Sequence, residues 1–491
     1  MKRWLLPLFL FLGLTAHVGS PNVVFDGAAG PYGVRVVVRP PMVVPGRAEV
    51  IVQIAGNDTV RVNIRPVFWR AGVAGAPTGD DAPRVAGSMN VHDGQIWLMS
   101  RGSYSVYVTV SGAHGSGTAI VPVTSFATGR LGLSKGLAAI LIVLGGVLFV
   151  GLITIVRAAT GEALLEPGEH MTDATRRRAR IATVVATPVL ALLVFGGARW
   201  WGSVDGDYER TMYRPPAVDA KVERADGGAH LLDLRIHDTA AFHAIFAPVI
   251  PDHGKMMHLF VVSAKNPRFF GHFHPSQTDS LHFREVLAGV PPGDYTLFAD
   301  VVLANGLSQT VTTSFDWPLD SAQVGPSDPD DATWNATDRG VGDVGHPVML
   351  GDGLSLVWTG GARPIAANEP VDLRFEVRDA KGSVATLAPY LGMAGHAVVL
   401  KSDDSVFVHL HPMGTVSTSA QQTFAARDRG DTTANGTPVL ATDRMAMPVS
   451  MDGHLDFPYE FPKAGRYRVW VQVRAAAGGR VLTGAFDLDV H

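Results

Sequence analysis

Short alternating apolar runs separated by Gly, Pro and Asn-Asp turns predict a mainly β chain, with three antiparallel β-sandwich domains on a two-helix transmembrane hairpin. Three observations carry that reading. The flanking regions hold regularly spaced strand-like segments with almost no helical period. The middle holds two long segments without charge. The region beyond them repeats itself about 140 residues on.

The N-terminus reads as a secretory signal over 1–16: Lys2 and Arg3, the apolar run Trp4 to Leu14, then small residues. Cleavage after Ala16 or Ser20 fits, and an uncleaved anchor is the competing reading. A cut after Ala16 makes His17 the first residue, with a free amine beside its imidazole. From 21 to 130, runs such as Val34-Arg35-Val36-Val37-Val38, Glu49-Val50-Ile51-Val52-Gln53 and Tyr104-Ser105-Val106-Tyr107-Val108 predict the first extracytoplasmic sandwich.

Spans are expected at 134–157 and 181–201. Gly136 to Val156 is long enough for about 30 Å of hydrocarbon, and Trp200 and Trp201 supply an interfacial belt after the second. Arg157, Arg176, Arg177, Arg178 and Arg180 bound or occupy the 158–180 loop, whereas Arg130, Lys135 and Arg199 flank the outer ends. The positive-inside rule makes this loop cytoplasmic and puts both large flanks outside. The expected location is the inner (cytoplasmic) membrane, multi-pass, with periplasmic N- and C-terminal domains.

Region 205–320 is read as the first β-sandwich repeat, 321–345 as a polar linker, and 346–491 as the second repeat with an insertion at 413–450. Pro291-Pro292-Gly293-Asp294-Tyr295 is echoed by Pro462-Lys463-Ala464-Gly465-Arg466-Tyr467. The insertion, rich in Ser, Thr, Ala, Gly and Asp, reads as a mobile surface loop.

Each repeat carries the same histidine pattern. The first has Met256-Met257-His258 followed by His272-Phe273-His274-Pro275, the second Met393-Ala394-Gly395-His396 followed by His409-Leu410-His411-Pro412. Each segment reads as a hairpin. Turns centred on Lys265 and on Ser402-Asp403 place His258 opposite His272 and His396 opposite His409. The period of two then puts His274 and His411 on the same faces. Three imidazoles converge in each copy, within reach of metal–nitrogen bonds of about 2 Å. Two sites follow as expectations, His258/His272/His274 and His396/His409/His411, with Met257 and Met393 as candidate axial ligands. Further candidates are His17, His282, His454 and the thioethers Met445, Met447 and Met451, a spacing that suits a soft ion such as Cu(I). His237, His243, His253 and His346 have no repeated counterpart and read as surface residues. The bland alternative is a set of hydrogen-bonded structural histidines.

Composition excludes several classes. The formal charge of -4 and the lack of a long basic stripe argue against nucleic acid as a partner. Cysteine is absent, which removes disulfides, thiolate sites, Cys nucleophiles and blue copper. No G-x-S-x-G elbow, P-loop or H-E-x-x-H occurs, and no general base has a defined place, so a non-enzyme is expected.

The segments GMAGHAVVL (Gly392 to Leu400), VHLHP (Val408 to Pro412) and AGRYRVWVQV, with MMHLFVVS and GHFHP in the first copy, resemble exported bacterial domains of the YtkA-like kind. The resemblance covers about half of the chain. It implies immunoglobulin-like sandwiches and a heavy-metal-handling context. A mature His17 is similar to the N-terminal histidine that helps periplasmic copper-resistance proteins bind Cu(II), although two internal spans depart from that pattern. The expected partners are a metal ion (copper first, zinc as the alternative), the lipid bilayer and a membrane protein. The expected role is copper buffering, resistance or delivery. The contrasting expectation is a non-catalytic structural, interaction or sensory module without metal.

Overall fold

The computed structural model describes residues 22–163, 165–166, 168–224, 230–237, 247–264, 267–317, 328–360, 364–433, 438–439, 451–476 and 479–491. The expected signal segment, His17, His243, Met445 and Met447 lie outside the described residues. Contacts divide the chain into two units: Ala127–Tyr213, and the residues up to Phe126 together with Arg214–His491.

The smaller unit holds two helices, Lys135–Gly161 and Asp173–Thr211, both long and apolar enough to cross a membrane. Their N-termini are capped by Ser134 and Thr172, whose hydroxyls accept from Leu137 N and Thr175 N at 3.2 Å each. Both helices extend past the expected spans. Arg176, Arg177, Arg178 and Arg180 therefore sit on the second helix instead of in a loop, and the connection shortens to 162–172.

The larger unit is built of antiparallel sheets that face one another in pairs. In the first pair, Val23–Ala29, Tyr32–Arg39, Gly46–Ile54 and Val91–Leu98 form one sheet, and Asp80–Ala82, Val60–Phe68, Gly102–Gly112 and Gly115–Ser125 the other. Alternation along the strands underlies this packing: Val34, Val36 and Val38 point inward with Val50, Val52, Ile64, Val106 and Val108.

Each repeat pairs a four-stranded with a six-stranded sheet. In the first repeat the larger sheet runs Val249–Ile250, Gly293–Leu303, His258–Ser263, Phe269–Phe273, Ala332–Asn335, with Ser308–Trp317 on Gly293–Leu303. In the second it runs Phe407–Leu410, His396–Lys401, Gly465–Ala475, Thr386–Ala388, Met451–Asp452, with Val481–Val490 on Gly465–Ala475.

These two larger sheets are apolar on both faces, which is why HLFVVS and HAVVLK do not alternate. Odd positions of the first strand enter its own core, where Leu259 lines a space with Leu234, Ile236 and Leu297. Even positions face the other repeat: Phe260, Val262, Phe270 and Trp334 pack with Val398, Leu400, Phe407 and Trp470 in one buried cluster. Phe270 stacks on Trp470 at 4.7 Å and Phe298 on Phe407 at 4.3 Å. Each such ring contributes about 1.5–3 kcal/mol by leaving water. The repeats thus share a face.

Two expected loops are structured. The segment read as a linker contributes Ala332–Asn335 to the first repeat's sheet, pairing with Phe269–His272. The insertion contains the helix Thr418–Arg429, capped by Ser417 and closed by Gly430 in the left-handed conformation. It buries Ala420, Thr423, Phe424 and Ala426; Phe424 meets Trp69 edge-on at 5.2 Å, and Arg427 lies over the Trp69 ring at 5.0 Å. The sequence composition hid this helix because its stability comes from docking rather than propensity.

Candidate metal centre

The shared face brings the two expected histidine trios together as one buried cluster. Both hairpins form, but each is offset by two residues from the expected register: Phe260 pairs with His272, and Val398 with His409. In the second repeat the cause is visible. The turn spans 402–405, with Asp404 in the left-handed conformation at φ 58°, and closes on a Lys401 N to Val406 O bond of 2.9 Å. A slip of two preserves the side-chain face. All six motif histidines therefore still point the same way, between the sheets, and are 0–7 % exposed.

A seventh joins them. His253, expected at the surface, has a side chain only 7 % exposed, and its ring centre lies 4.9 Å from His411 and 5.6 Å from His396. It occupies a tight turn in which Asp252 and Lys255 exchange backbone hydrogen bonds of 2.8 and 3.0 Å. The second repeat builds the same turn from Tyr390 and Met393, with Leu391 (φ 47°) where the first has His253 (φ 52°). The next residues are Gly254 and Gly392, at φ 81° and 87°. A direct motif search misses His253 because its repeat counterpart is Leu391; the shared X-Gly turn one strand upstream was the available signal.

In the first trio every ring has one nitrogen fixed by an outer partner. His258 Nε2 lies 3.2 Å from the Asp252 carbonyl, His272 Nδ1 2.8 Å from Gln472 Oε1, and His274 Nδ1 2.9 Å from Asp331 Oδ1. Tyr390 Oη, 3.0 Å from His272 Nδ1, adds a second contact. Donation to those acceptors leaves lone pairs on His258 Nδ1, His272 Nε2 and His274 Nε2. The first two atoms are 3.2 Å apart, and the three rings offer one ligand nitrogen each within 4.8 Å of one another. Two nitrogens on one tetrahedral ion stand about 3.3–3.4 Å apart for bonds of about 2.0–2.1 Å. Partners that fix the far nitrogen of a metal-binding imidazole are a usual companion of such sites.

The second group is His253, His396 and His411, whose ligand atoms also lie within 4.8 Å of one another. It differs from the expected trio by exchanging His409 for His253. His409 stands between the groups, its ring centre 5.1 Å from His258, 5.2 Å from His396 and 4.6 Å from His411. Its Nδ1 is 3.7 Å from Asp300 Oδ2.

The two repeats exchange supports. His258 pairs across the sheet with Asp300, and Asp300 with Thr310; His396 pairs with Gln472, and Gln472 with Thr483. Gln472 then contacts His272, and Asp300 faces His409, each in the opposite repeat.

Burial keeps these imidazoles neutral. Loss of water, reinforced by His274 beside His258, lowers His258 to about 3; burial with His253 nearby lowers His411 to about 3. Burial and then Lys255 bring His274 to about 4, and His272, His396 and His409 fall well below the ordinary value, also mainly by burial. Burial raises Asp331 to about 7. Above that pH its carboxylate accepts the His274 Nδ1 proton and leaves the Nε2 lone pair facing inward.

Among the described residues, seven buried imidazole nitrogens of this cluster lack a hydrogen-bond partner: His253 Nε2, His274 Nε2, His409 Nε2 and both nitrogens of His396 and of His411. At about 1–3 kcal/mol for each orphaned polar atom, the total rivals the whole stability of a domain, about 5–15 kcal/mol. Ordinary core histidines are hydrogen-bonded. A neutral imidazole carries one N–H and one lone pair, so an ion that accepts one lone pair from each of these five rings would offset part of the cost.

The remaining candidates lie elsewhere. Met257 points into the first repeat's own core with Val218, Leu234 and Leu259, on the face opposite the histidines. Met393 is part of the turn with Tyr390, and Met451 packs against the second repeat's core. His282 bonds Asp233 at 2.7 Å in the smaller sheet, and His454 is exposed beside Asp452. His237 pairs with Asp219 at the surface, and His346 is exposed.

A family model described as a domain of unknown function (DUF8832) matches residues 348–491, the second repeat. No curated protein matches the chain. Among solved structures, a tetra-tandem repeat from the extending region of a large adhesion protein is similar at 9% identity and TM-score 0.16, covering 95% of this chain and 82% of that one. Native Escherichia coli alpha-2-macroglobulin is similar at 8% identity and TM-score 0.20, covering 95% of this chain and 23% of that one. Likeness at these scores supports no functional conclusion.

Proposed function

We propose that the chain is a membrane-anchored, extracytoplasmic metal-binding protein whose metal centre lies between its two histidine-bearing repeats. One observation carries this reading: three buried imidazoles, each fixed from outside by a carbonyl, an amide or a carboxylate, bring ligand nitrogens within 4.8 Å of one another. The apolar helices 135–161 and 173–211 serve as the anchor, with the arginines from 176 to 180 on the cytoplasmic side and the β-sheet regions outside, as immunoglobulin-like domains.

An all-imidazole site suits copper or zinc. Copper is the first assignment, for buffering, resistance or delivery, with zinc as the alternative. The placement of Met257 on the far face removes one thioether and favours nitrogen-only coordination. No role in catalysis is assigned.

The test is equilibrium titration of the full-length, detergent-solubilised protein with Cu(II) and with Zn(II), against a competing chelator. The His272→Ala and His274→Ala chains are expected to bind the tightest ion at least tenfold more weakly. Unchanged affinity in both would refute the proposal, and the ratio of the two wild-type constants assigns the metal.

A further inference from the structure

We propose that this cavity holds two metal ions, the second bound by His253, His396 and His411 at a site that exists only where the two repeats meet. The inference rests on the metal-binding reading above but on different atoms, so the two can fail separately.

Five of the seven orphaned nitrogens belong to this second trio: His253 Nε2 and both nitrogens of His396 and His411. Among the described residues these rings exchange no hydrogen bond with one another, so they do not satisfy themselves. Two of the rings come from the second repeat's hairpin. The third comes from the first repeat's turn, which crosses the shared face. His253 is held there in the left-handed region at φ 52°, an uncommon conformation for a side chain with a Cβ.

The charge around the trio suits a cation. Asp252 Oδ1 stands 3.8 Å from His253 Nε2 and is fixed by the Ser419 amide at 3.1 Å, on the helix of the insertion. A buried carboxylate beside buried imidazoles offsets the desolvation of a divalent ion. The first trio has its own carboxylate in Asp331, and Asp300 stands beside His409. His409, in ring contact with members of both trios, offers its orphaned Nε2 to either ion. Two trios, separate carboxylates and a shared imidazole describe a two-ion centre of borderline metals rather than one site with spare histidines.

The asymmetry between the repeats supplies the test. At the position of His253 the second repeat carries Leu391 in the same backbone conformation. His253→Leu is therefore a side chain this turn already accepts elsewhere in the molecule. The full chain in detergent is loaded with Cu(II), dialysed, and assayed for copper per chain and by electron paramagnetic resonance. The expected wild type holds two ions with a half-field signal from their magnetic interaction. The expected His253→Leu chain holds one ion, shows an isolated Cu(II) spectrum, and keeps the wild-type affinity for that ion. Thermal unfolding of both apo chains checks that the variant folds. A wild type with one ion, or with two that do not interact, overturns the two-ion centre and leaves the metal-binding reading intact. A His253→Leu chain that retains the interacting pair also overturns it. A wild type that binds no ion overturns both.

Discussion

His274 is fixed at Nδ1 by Asp331 and presents a buried, unpartnered Nε2 to the cavity. The carboxylate sets the tautomer and raises the basicity of the ligand nitrogen. Asp331→Asn removes that charge without changing the size of the side chain. It is expected to weaken the first ion by about 10–100-fold, measured by chelator competition, while the His253-dependent ion is retained. An unchanged first constant would mean that Asp331 does not tune the ligand. The motif histidines were legible because they occur twice with one spacing. His253 was not, since its counterpart is Leu391 and only the turn geometry relates them. Met257, one residue before the strand His258–Ser263, instead lines the first repeat's own core with Leu234 and Leu259.

The hairpins His258–Phe273 and His396–Leu410 show how a wrong register can leave a correct conclusion standing. Both pairings are displaced by two residues from the expected register, and a shift of two returns every side chain to its original face. The helix Thr418–Arg429 was the opposite case. Its polar composition reads as a loop, yet Phe424 is fully buried against Trp69, and Ser419 fixes Asp252 beside the histidines. Phe424→Ala is expected to cost about 3–5 kcal/mol, read by chemical denaturation of the detergent-solubilised chain. A loss below about 0.5 kcal/mol, the usual size of an exposed substitution, would show that the helix does not dock.

The larger unit is held by more than its separate cores. Arg39 reaches across from the first sheet pair to the fully buried Glu460 of the second repeat at 2.8 Å, and the aromatic cluster around Phe260 and Trp470 joins the repeats. Because the histidines lie inside that joint, its stability should depend on pH. His258, His272, His274, His396, His409 and His411 have lowered values in the folded chain. Unfolded imidazoles titrate near about 6.5. Between that pH and about 4, the value of His274, the unfolded chain binds more protons, so stability is lost as pH falls. Asp300 and Asp331, raised to about 7, act in the opposite sense throughout this window. Six groups outweigh two. The metal-free chain is expected to have a lower thermal midpoint at pH 5 than at pH 7.5, by differential scanning calorimetry. An equal or higher midpoint at pH 5 would contradict the buried, neutral state of these rings.

Local patterns carried the strands, the apolar helices, the repeat and the six motif histidines, since each follows from a period of two, a run of uncharged residues or an internal match. Only the packing of sheet on sheet decided that two expected sites are one cluster, that His253 belongs to it and that Met257 does not. The physical reason is that a strand's sequence fixes which side chains share a face, whereas the partner of that face is chosen by long-range burial. The one trace of that choice in the chain was the uninterrupted apolar character of HLFVVS and HAVVLK, strands that must be covered on both sides.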